Sequence, residues 1–266
     1  MSTLKLRTIF ISDVHLGTRD AQAEHLLDFL RNSESETLYL LGDIVDFWKA
    51  SSGWYWPRQH SEVVQAILDK ARRGTRVIYV PGNHDEWLRD YVGTEFNGIE
   101  LRVGMVHQTL RGERLLLLHG DEFDSAVRCN RLLSHVGSGF YDVLLYLNRA
   151  YNALRRRFGF SYWSLSSYIK RRVKNAMDYI ERYEAAAVHE AQRHKVDGLV
   201  CGHIHQPALR EIDGMYYVNT GDWVEHCSTV VETLDGELHL INWAAESVHW
   251  LQEQEEAAPV AASVAG

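Results

Sequence analysis

Apolar runs and helical stretches alternate along most of the chain. Five short apolar runs are typical of buried strands, at residues 6–12, 37–41, 76–80, 114–118 and 198–201. The segments between the first three runs have apolar side chains at helical intervals, which predicts two helices, at residues 21–31 and 59–73. Alternation of strand and helix predicts a layered α/β fold.

The pattern changes after residue 198, where short strands are separated by turns. Asp213-Gly214 lies between the runs 208–212 and 215–219, and Asp235-Gly236 lies between 229–234 and 237–242. An Asp-Gly pair between two apolar runs favours a tight turn that joins antiparallel strands. The sequence therefore predicts two hairpins near the end of the chain.

The composition is that of a folded globular protein. Of the 266 residues, 45% are hydrophobic and 24% are charged, and only 4 are Pro. No apolar stretch reaches the roughly 18 residues that span a bilayer, and the first residues lack the features of a signal peptide. The three Cys residues are too few and too scattered for a disulfide framework. We therefore expect a cytoplasmic protein.

Charge is distributed unevenly along the chain. The net charge is -8, yet residues 125–184 carry 11 Lys or Arg against 4 Asp or Glu, so this segment is at +7 and the remainder at -15. The same segment holds 11 of the aromatic residues, and a basic, apolar segment suits an anionic ligand with an apolar part. We expect a core at 1–124 and 195–252, a basic helical cap insertion at 125–194, and a disordered tail at 253–266.

Polar residues follow each of the five predicted strands. The clusters are Asp13-Val14-His15, Gly42-Asp43-Ile44-Val45-Asp46, Gly82-Asn83-His84-Asp85, His119-Gly120-Asp121 and Gly202-His203-Ile204-His205. Sites in α/β sheets form beyond the carboxyl ends of the strands, so we expect these clusters to converge. Oxygen and nitrogen ligands without thiolate suit Mn²⁺, Fe²⁺, Mg²⁺ or Zn²⁺.

In this order the clusters resemble the motifs of the calcineurin-like metallophosphoesterases. The resemblance implies a layered β-sandwich flanked by helices and a centre of two divalent metal ions, which we expect to be Mn²⁺. It implies that one metal is bound by Asp13, His15 and His205, that the other is bound by Asn83, His119 and His203, and that Asp43 bridges the two. It also implies that His84 acts on the phosphoryl group and that Asp46 orients the His84 ring.

More narrowly, the chain is similar to the UDP-2,3-diacylglucosamine hydrolases, which carry a basic aromatic insertion at this point. The opening Ser-Asp-Val-His-Leu-Gly, Trp48, and His205-Gln206-Pro207-Ala208 also match. The resemblance implies hydrolysis of the diphosphate of a lipid-linked nucleotide sugar at the inner membrane surface. We expect no nucleic-acid partner, because the acidic remainder of the chain would repel a phosphate backbone. We expect the substrate to be bound by Trp48, Asn83, His84, Asp124, Arg172 and Lys174, the last two because they belong to the basic segment.

The chain also departs from the best-known members of that group. They have Arg in place of His84, Glu in place of Asp46 and Arg in place of Gln206. Other interpretations therefore stay open: a related enzyme that acts on another phospholipid or a soluble nucleotide phosphoester, or a non-catalytic scaffold. Asp85 and Asp121 are compatible with loop capping as well as with support of the site.

Overall fold

A computed structural model describes residues 3–49, 53–125 and 165–257 of the chain. Twelve strands lie within these ranges. They are β1 (Leu4–Ile11), β2 (Ser33–Leu41), β3 (Arg76–Val80), β4 (Glu95–Phe96), β5 (Ile99–Leu101), β6 (Met105–Gln108), β7 (Arg114–Leu117), β8 (Gly198–Cys201), β9 (Ala208–Ile212), β10 (Met215–Asn219), β11 (Ser228–Glu232) and β12 (Leu238–Asn242).

The strands form two sheets with parallel strands at their centres. The first sheet has the order β12-β11-β1-β2-β3-β5-β4, and β1, β2, β3 and β5 are parallel. The second has the order β6-β7-β8-β10-β9, in which β7, β8 and β10 are parallel. The two predicted hairpins are confirmed as the antiparallel pairs β9–β10 and β11–β12.

Four α-helices accompany the sheets in the described ranges. They are α1 (Ala23–Arg31), α2 (Arg58–Arg72), α3 (Leu165–Arg193) and α4 (Trp243–Ala257). Short 3-10 helices lie at Glu86–Tyr91 and Asp121–Ser125. No helix of the described part is both long and apolar enough to cross a membrane. The predicted α/β fold with two sheets, flanking helices and a helical insertion is confirmed.

The alternation of side chains along the central strands creates two apolar layers. On β1, Ile9 and Ile11 belong to the cluster that contains the buried faces of α1 and α2. Phe10 points to the other side and packs with Val200 and Val218 of the second sheet. Because successive side chains of a strand face opposite ways, one run of apolar residues supports both layers.

The chain forms two compact units, Met1–Asp121 with Ala187–Gly266, and Glu122–Ala186. Within the smaller unit, the Phe123 ring packs edge to face against Tyr183, with 5.4 Å between the ring centroids. At the end of the larger unit, α4 continues to Ala257, although the sequence pattern predicted no element beyond residue 252. The predicted helix breaks near 137–139 and 159–161 lie outside the described residues.

Candidate metal centre

The five polar clusters come together at one edge of the two sheets. Each cluster follows the carboxyl end of a parallel strand, namely β1, β2, β3, β7 or β8. Backbone hydrogen bonds join them directly: the Asp13 amide donates to the Gly42 carbonyl, and the Gly202 amide donates to the His119 carbonyl. Residues that are distant in sequence therefore lie together at this edge, as expected.

One group of side chains that could hold a metal consists of Asp13, His15 and His205. The Nε2 atom of His205 lies 3.3 Å from Oδ1 of Asp13 and 3.3 Å from Nε2 of His15. Asp13 is fully buried, and its Oδ2 accepts hydrogen bonds from the Ser12 hydroxyl and the His203 amide. One carboxylate oxygen is thus occupied by the protein, and the other faces the two imidazoles.

A second such group consists of Asp43, His119 and His203. Nε2 of His119 lies 3.4 Å from Oδ2 of Asp43 and 3.2 Å from Oδ1 of Asn83. The same Oδ2 of Asp43 is 4.0 Å from Nε2 of His15, which belongs to the first group. Asp43 therefore lies between the two groups, where a carboxylate could contact an ion in each.

The backbone at this edge is strained. Nine non-glycine residues of the described part have a positive φ, and five of them are expected ligands: Asp13, His15, Asp43, His203 and His205. A left-handed conformation is unfavourable for residues with a Cβ and is enriched at functional sites. Local turn energetics alone would not favour it so often in one place, so the surrounding packing fixes these side chains in position.

Glycines let the clusters approach one another. A Cβ on Gly82 would lie 2.3 Å from Oδ1 of Asp43 and 2.7 Å from Nε2 of His119. A Cβ on Gly202 would lie 2.2 Å from Oδ2 of Asp13. The clusters can converge this closely because these two positions carry no side chain.

The donor set fits divalent cations. Oδ1 of Asp13 is buried and accepts no hydrogen bond from any described residue, because its contact with His205 lacks hydrogen-bond geometry. A buried carboxylate oxygen without a donor is costly, and a cation there would satisfy it. The remaining donors are imidazole nitrogens and carboxylate or amide oxygens, the ligands that Mn²⁺, Fe²⁺ and Zn²⁺ accept.

The charge states of the ligand residues in the metal-free protein also suit a cation. Burial alone would raise the pKa of Asp43, but the His119 imidazole lowers that pKa to about 2. Burial opposes protonation of His205, yet the adjacent Asp13 carboxylate raises the His205 pKa to about 9. Without metal, the Asp13 carboxylate therefore retains a proton on the His205 imidazole, and metal binding must displace that proton.

His84 lies beside both groups. Its Nδ1 is 3.0 Å from Oδ2 of Asp46, and its Nε2 is 3.9 Å from Oδ2 of Asp43. Trp48 stacks on the imidazole with 4.0 Å between the ring centroids. Burial lowers the pKa of His84, but the Asp46 and Asp43 carboxylates outweigh this and raise the pKa overall. His15, Asp46 and His84 are a third group compatible with a metal, but this group shares His15 with the first.

Three further residues were expected to bind substrate, namely Asp124, Arg172 and Lys174. Asp124 belongs to the smaller unit, where its Oδ1 accepts a hydrogen bond from the Tyr179 hydroxyl at 3.0 Å. Arg172 and Lys174 lie within α3, but their side chains are outside the described part. Their expected contact with substrate stays a prediction.

Asp85 and Asp121 have structural partners. Asp85 is fully buried and accepts hydrogen bonds from the amides of Ile44 and Gly82 and from the Tyr79 hydroxyl. It thereby links the loops that follow β2 and β3. Asp121 forms an ion pair with Arg89 at 2.8 Å.

A sixth strand end, residues 219–223 after β10, also lies at this edge and was not predicted from the sequence. The Trp223 amide donates to the Asp13 carbonyl at 2.9 Å, and the Asn219 side-chain amide donates to the Gly202 carbonyl at 2.7 Å. Asp222 is fully buried, with Oδ2 3.7 Å from Nδ1 of His205. The signal was present, since Gly221-Asp222 repeats the Gly-Asp pair that follows β2, but it contains no His.

The fold and the site together define the class of protein. A model of the calcineurin-like phosphoesterase family matches residues 6–207, and this chain belongs to that family. The match includes all five clusters that converge at the sheet edge. The chain is a metal-dependent phosphoesterase, a hydrolase.

Its curated relatives are more specific. A UDP-2,3-diacylglucosamine hydrolase of Photorhabdus laumondii is 26% identical over 89% of this chain and 98% of its own length. The enzyme of that name from Salmonella typhi is 27% identical over 86% of this chain and 96% of its own. The one from Porphyromonas gingivalis is 26% identical over 86% and 94%. The chain is similar to these enzymes over nearly their whole length.

Proposed function

We propose that the protein hydrolyses the diphosphate of UDP-2,3-diacylglucosamine at a centre of two Mn²⁺ ions. Water cleaves the bond between the two phosphoryl groups, and the products are UMP and 2,3-diacylglucosamine 1-phosphate. The position of Asp43 between the Asp13 and His119 groups carries the proposal, because a shared carboxylate is what a two-metal phosphoesterase site requires.

The substrate assignment has two supports. The relatives that match nearly the whole chain are named for this substrate. In addition, the basic, aromatic segment 125–184 suits a ligand that combines phosphates with acyl chains. We therefore propose that the protein works in the cytoplasm, peripherally bound to the inner membrane surface through that segment, with no nucleic-acid partner.

The chain's own residues then have distinct tasks. Asp13, His15 and His205 hold one metal, and Asn83, His119 and His203 hold the other. Two bound cations would supply an activated water and neutralise charge on the phosphoryl group.

His84 protonates the leaving oxygen. Its Nδ1 faces Asp46, which leaves Nε2 on the side of Asp43 and of the substrate. Trp48 stacks on one face of the His84 imidazole and fixes the plane of this ring.

The test is hydrolysis by the purified, Mn²⁺-loaded protein. We expect kcat/KM for UDP-2,3-diacylglucosamine in mixed micelles to exceed that for cyclic nucleotides, dinucleoside polyphosphates and a chromogenic diester, with UMP as a product. Preference for a soluble nucleotide would assign the chain to a related enzyme with another substrate. No hydrolysis of any of them, with metal bound, would favour a scaffold and overturn the proposal.

A further inference from the structure

Three metal-facing imidazoles of the candidate centre, those of His205, His15 and His119, have a second partner on the side away from the centre, and this partner is not the same in the two halves. His205 presents Nε2 to Asp13 and His15, at 3.3 Å from each. Its other nitrogen, Nδ1, therefore points away from the centre, and the Oδ2 atom of Asp222 lies 3.7 Å from it. A carboxylate on that side favours the tautomer with the proton on Nδ1, which leaves the Nε2 lone pair for a metal.

Asp222 is held rigidly for this task. It is fully buried, and its Oδ1 accepts hydrogen bonds from the amides of Val224, Glu225 and His226. Its Oδ2 lies 2.5 Å from Nδ1 of His226. The carboxylate cannot turn away from His205 without breaking several of these bonds, so its charge stays behind the ligand.

The same half has a second carboxylate behind its other imidazole. Nδ1 of His15 lies 3.4 Å from Oδ2 of Asp46. In the other half, Nδ1 of His119 donates to the neutral backbone carbonyl of Leu41 at 2.8 Å. Two imidazoles of one half thus have an anion behind them, whereas His119 has an uncharged acceptor.

We propose that Asp222 is a positioning residue that makes the Asp13–His15–His205 half the tighter of the two metal sites. An imidazole whose outer N–H faces a carboxylate is oriented in advance and is a more basic ligand, so it binds a cation more tightly. The inference rests on the proposed two-metal function, and it adds an order of loading: the first ion enters at His205 and the second enters at His119.

The experiment compares two substitutions that each remove one negative charge from the same loop. Asp222→Asn keeps an oxygen for the three backbone amides but places an amide group near His205. Glu225→Gln changes an exposed side chain two residues before the buried Cys227 and serves as the matched control. Metal-free wild type and both variants are titrated with Mn²⁺ by calorimetry, and bound manganese is counted after dialysis.

We expect the wild type to bind two Mn²⁺ in two resolved steps. Asp222→Asn weakens the tighter step by about 10- to 100-fold and leaves the weaker step unchanged. Glu225→Gln leaves both steps unchanged. His226→Gln has a smaller effect on the tighter step than Asp222→Asn, because the three backbone amides still hold Asp222.

The outcomes separate this inference from the proposed function. A wild type that binds fewer than two ions contradicts the two-metal function itself. If the wild type binds two ions but Asp222→Asn and Glu225→Gln bind Mn²⁺ indistinguishably, the role of Asp222 is overturned. If Asp222→Asn loses only the weaker step, the order of loading is overturned.

If Asp222→Asn does not fold, ¹⁵N-histidine NMR of the Zn²⁺-loaded wild type tests the inference instead, and His205→Gln assigns the His205 signals. A proton on Nε2 of His205 rather than on Nδ1 would refute the inference.

Discussion

At the scale of single residues, the candidate centre depends most on Asp43. Its Oδ2 is the oxygen that approaches both His15 and His119, and its Oδ1 accepts the His84 amide at 2.8 Å. The carboxylate therefore fixes the separation of the two metal groups and also the loop that carries His84. The His84 side chain, in contrast, approaches only Oδ2 of Asp43, at 3.9 Å from its Nε2. We therefore expect substitutions of Asp43 and of His84 to have different effects.

We expect Asp43→Ala to abolish turnover and to lower the metal content. The substitution removes the anion shared by both groups, so two cations held there would repel each other without a negative charge between them. Manganese per chain, measured after dialysis, should fall below two, and hydrolysis of a chromogenic diester should be undetectable. Retention of two ions with normal turnover would show that Asp43 is not a bridge.

For His84→Ala we expect two bound metals and a loss of about 10²- to 10⁴-fold in kcat, the usual contribution of a general acid. The matched control is His25→Ala, because His25 is exposed on α1 and should leave both measurements unchanged. Metal analysis and single-turnover kinetics check the pair. If His84→Ala also lost metal, His84 would be a ligand and the third group around His15 would bind an ion.

At the scale of secondary-structure elements, a buried polar network joins the two sheets. Glu232 of β11 is fully buried and accepts hydrogen bonds from the Thr8 hydroxyl of β1 and from the Leu110 amide. Nε2 of His107, on β6 of the other sheet, lies 2.9 Å from Oδ2 of Glu232. An ion pair with Arg7 at 3.0 Å adds a second charge. The network adds polar contacts to the apolar layer between the two sheets.

We expect Glu232→Gln to lower the free energy of unfolding by about 1–3 kcal/mol at neutral pH, because buried donors lose a charged acceptor. Burial raises the pKa of Glu232, but hydrogen bonds from His107 and Leu110 outweigh burial and lower this pKa to about 2. The stabilisation by the ionised carboxylate is therefore complete above its unfolded pKa of about 4.5 and is lost as the pH falls through about 2.

Urea unfolding at several pH values checks this prediction. The difference between wild type and Glu232→Gln should be largest near pH 7 and should shrink between about pH 4.5 and pH 2. Glu34→Gln, at an exposed position of β2, is the control and should show no such dependence. A difference that stayed constant down to pH 2 would mean that the network stabilises the fold through packing rather than through charge.

The sequence predicted the elements that have a strong pattern of their own. The five apolar runs and the hairpins at Asp213-Gly214 and Asp235-Gly236 were recognisable because strand residues and turn residues are both local signals. The strands β4, β5 and β6 were not predicted, since their two to four residues do not form a continuous apolar run as those of β7 and β8 do. Their pairing with β3 and β7 is decided by tertiary contacts.

The same distinction between local signals and tertiary contacts explains which parts of the candidate centre could be predicted from the sequence. Its ligand types at strand ends could be found from sequence, because Asp, Asn and His are unusual directly after buried strands. Asp222 could not be assigned a role, since its meaning depends on which nitrogen of His205 faces outward. The left-handed backbone at His203 and His205 was equally hidden, because tertiary packing rather than local propensity imposes it.

At the scale of the whole molecule, charge separates one segment from the remainder. Residues 125–184 are at +7 and the rest of the chain at -15. An anionic membrane surface repels the acidic remainder of the chain and attracts the basic segment, over a distance of about 8 Å at physiological salt. If the substrate is a lipid, the segment therefore determines how the protein meets it, while the metal centre determines what happens to the phosphate.

The separation of these tasks leads to the last prediction, which concerns Arg172 and Lys174 within that segment. Replacing both with Ala should raise KM for the lipid substrate in anionic mixed micelles, because each basic residue near an anionic surface contributes about 1 kcal/mol. The two together correspond to an increase of up to about 30-fold. Hydrolysis of a small chromogenic diester should not change, since that substrate requires only the metal centre.

A double variant of equal charge, Arg72→Ala with Arg73→Ala at the end of α2, is the matched control and should leave both reactions as in the wild type. Added salt should raise KM of the wild type toward that of the Arg172 and Lys174 variant, because screening removes the same attraction. Equal losses on the lipid and on the diester would instead show that the basic segment supports the fold or the metal site. The lipid assignment would then have no support in the charge of this chain and would depend on its relatives alone.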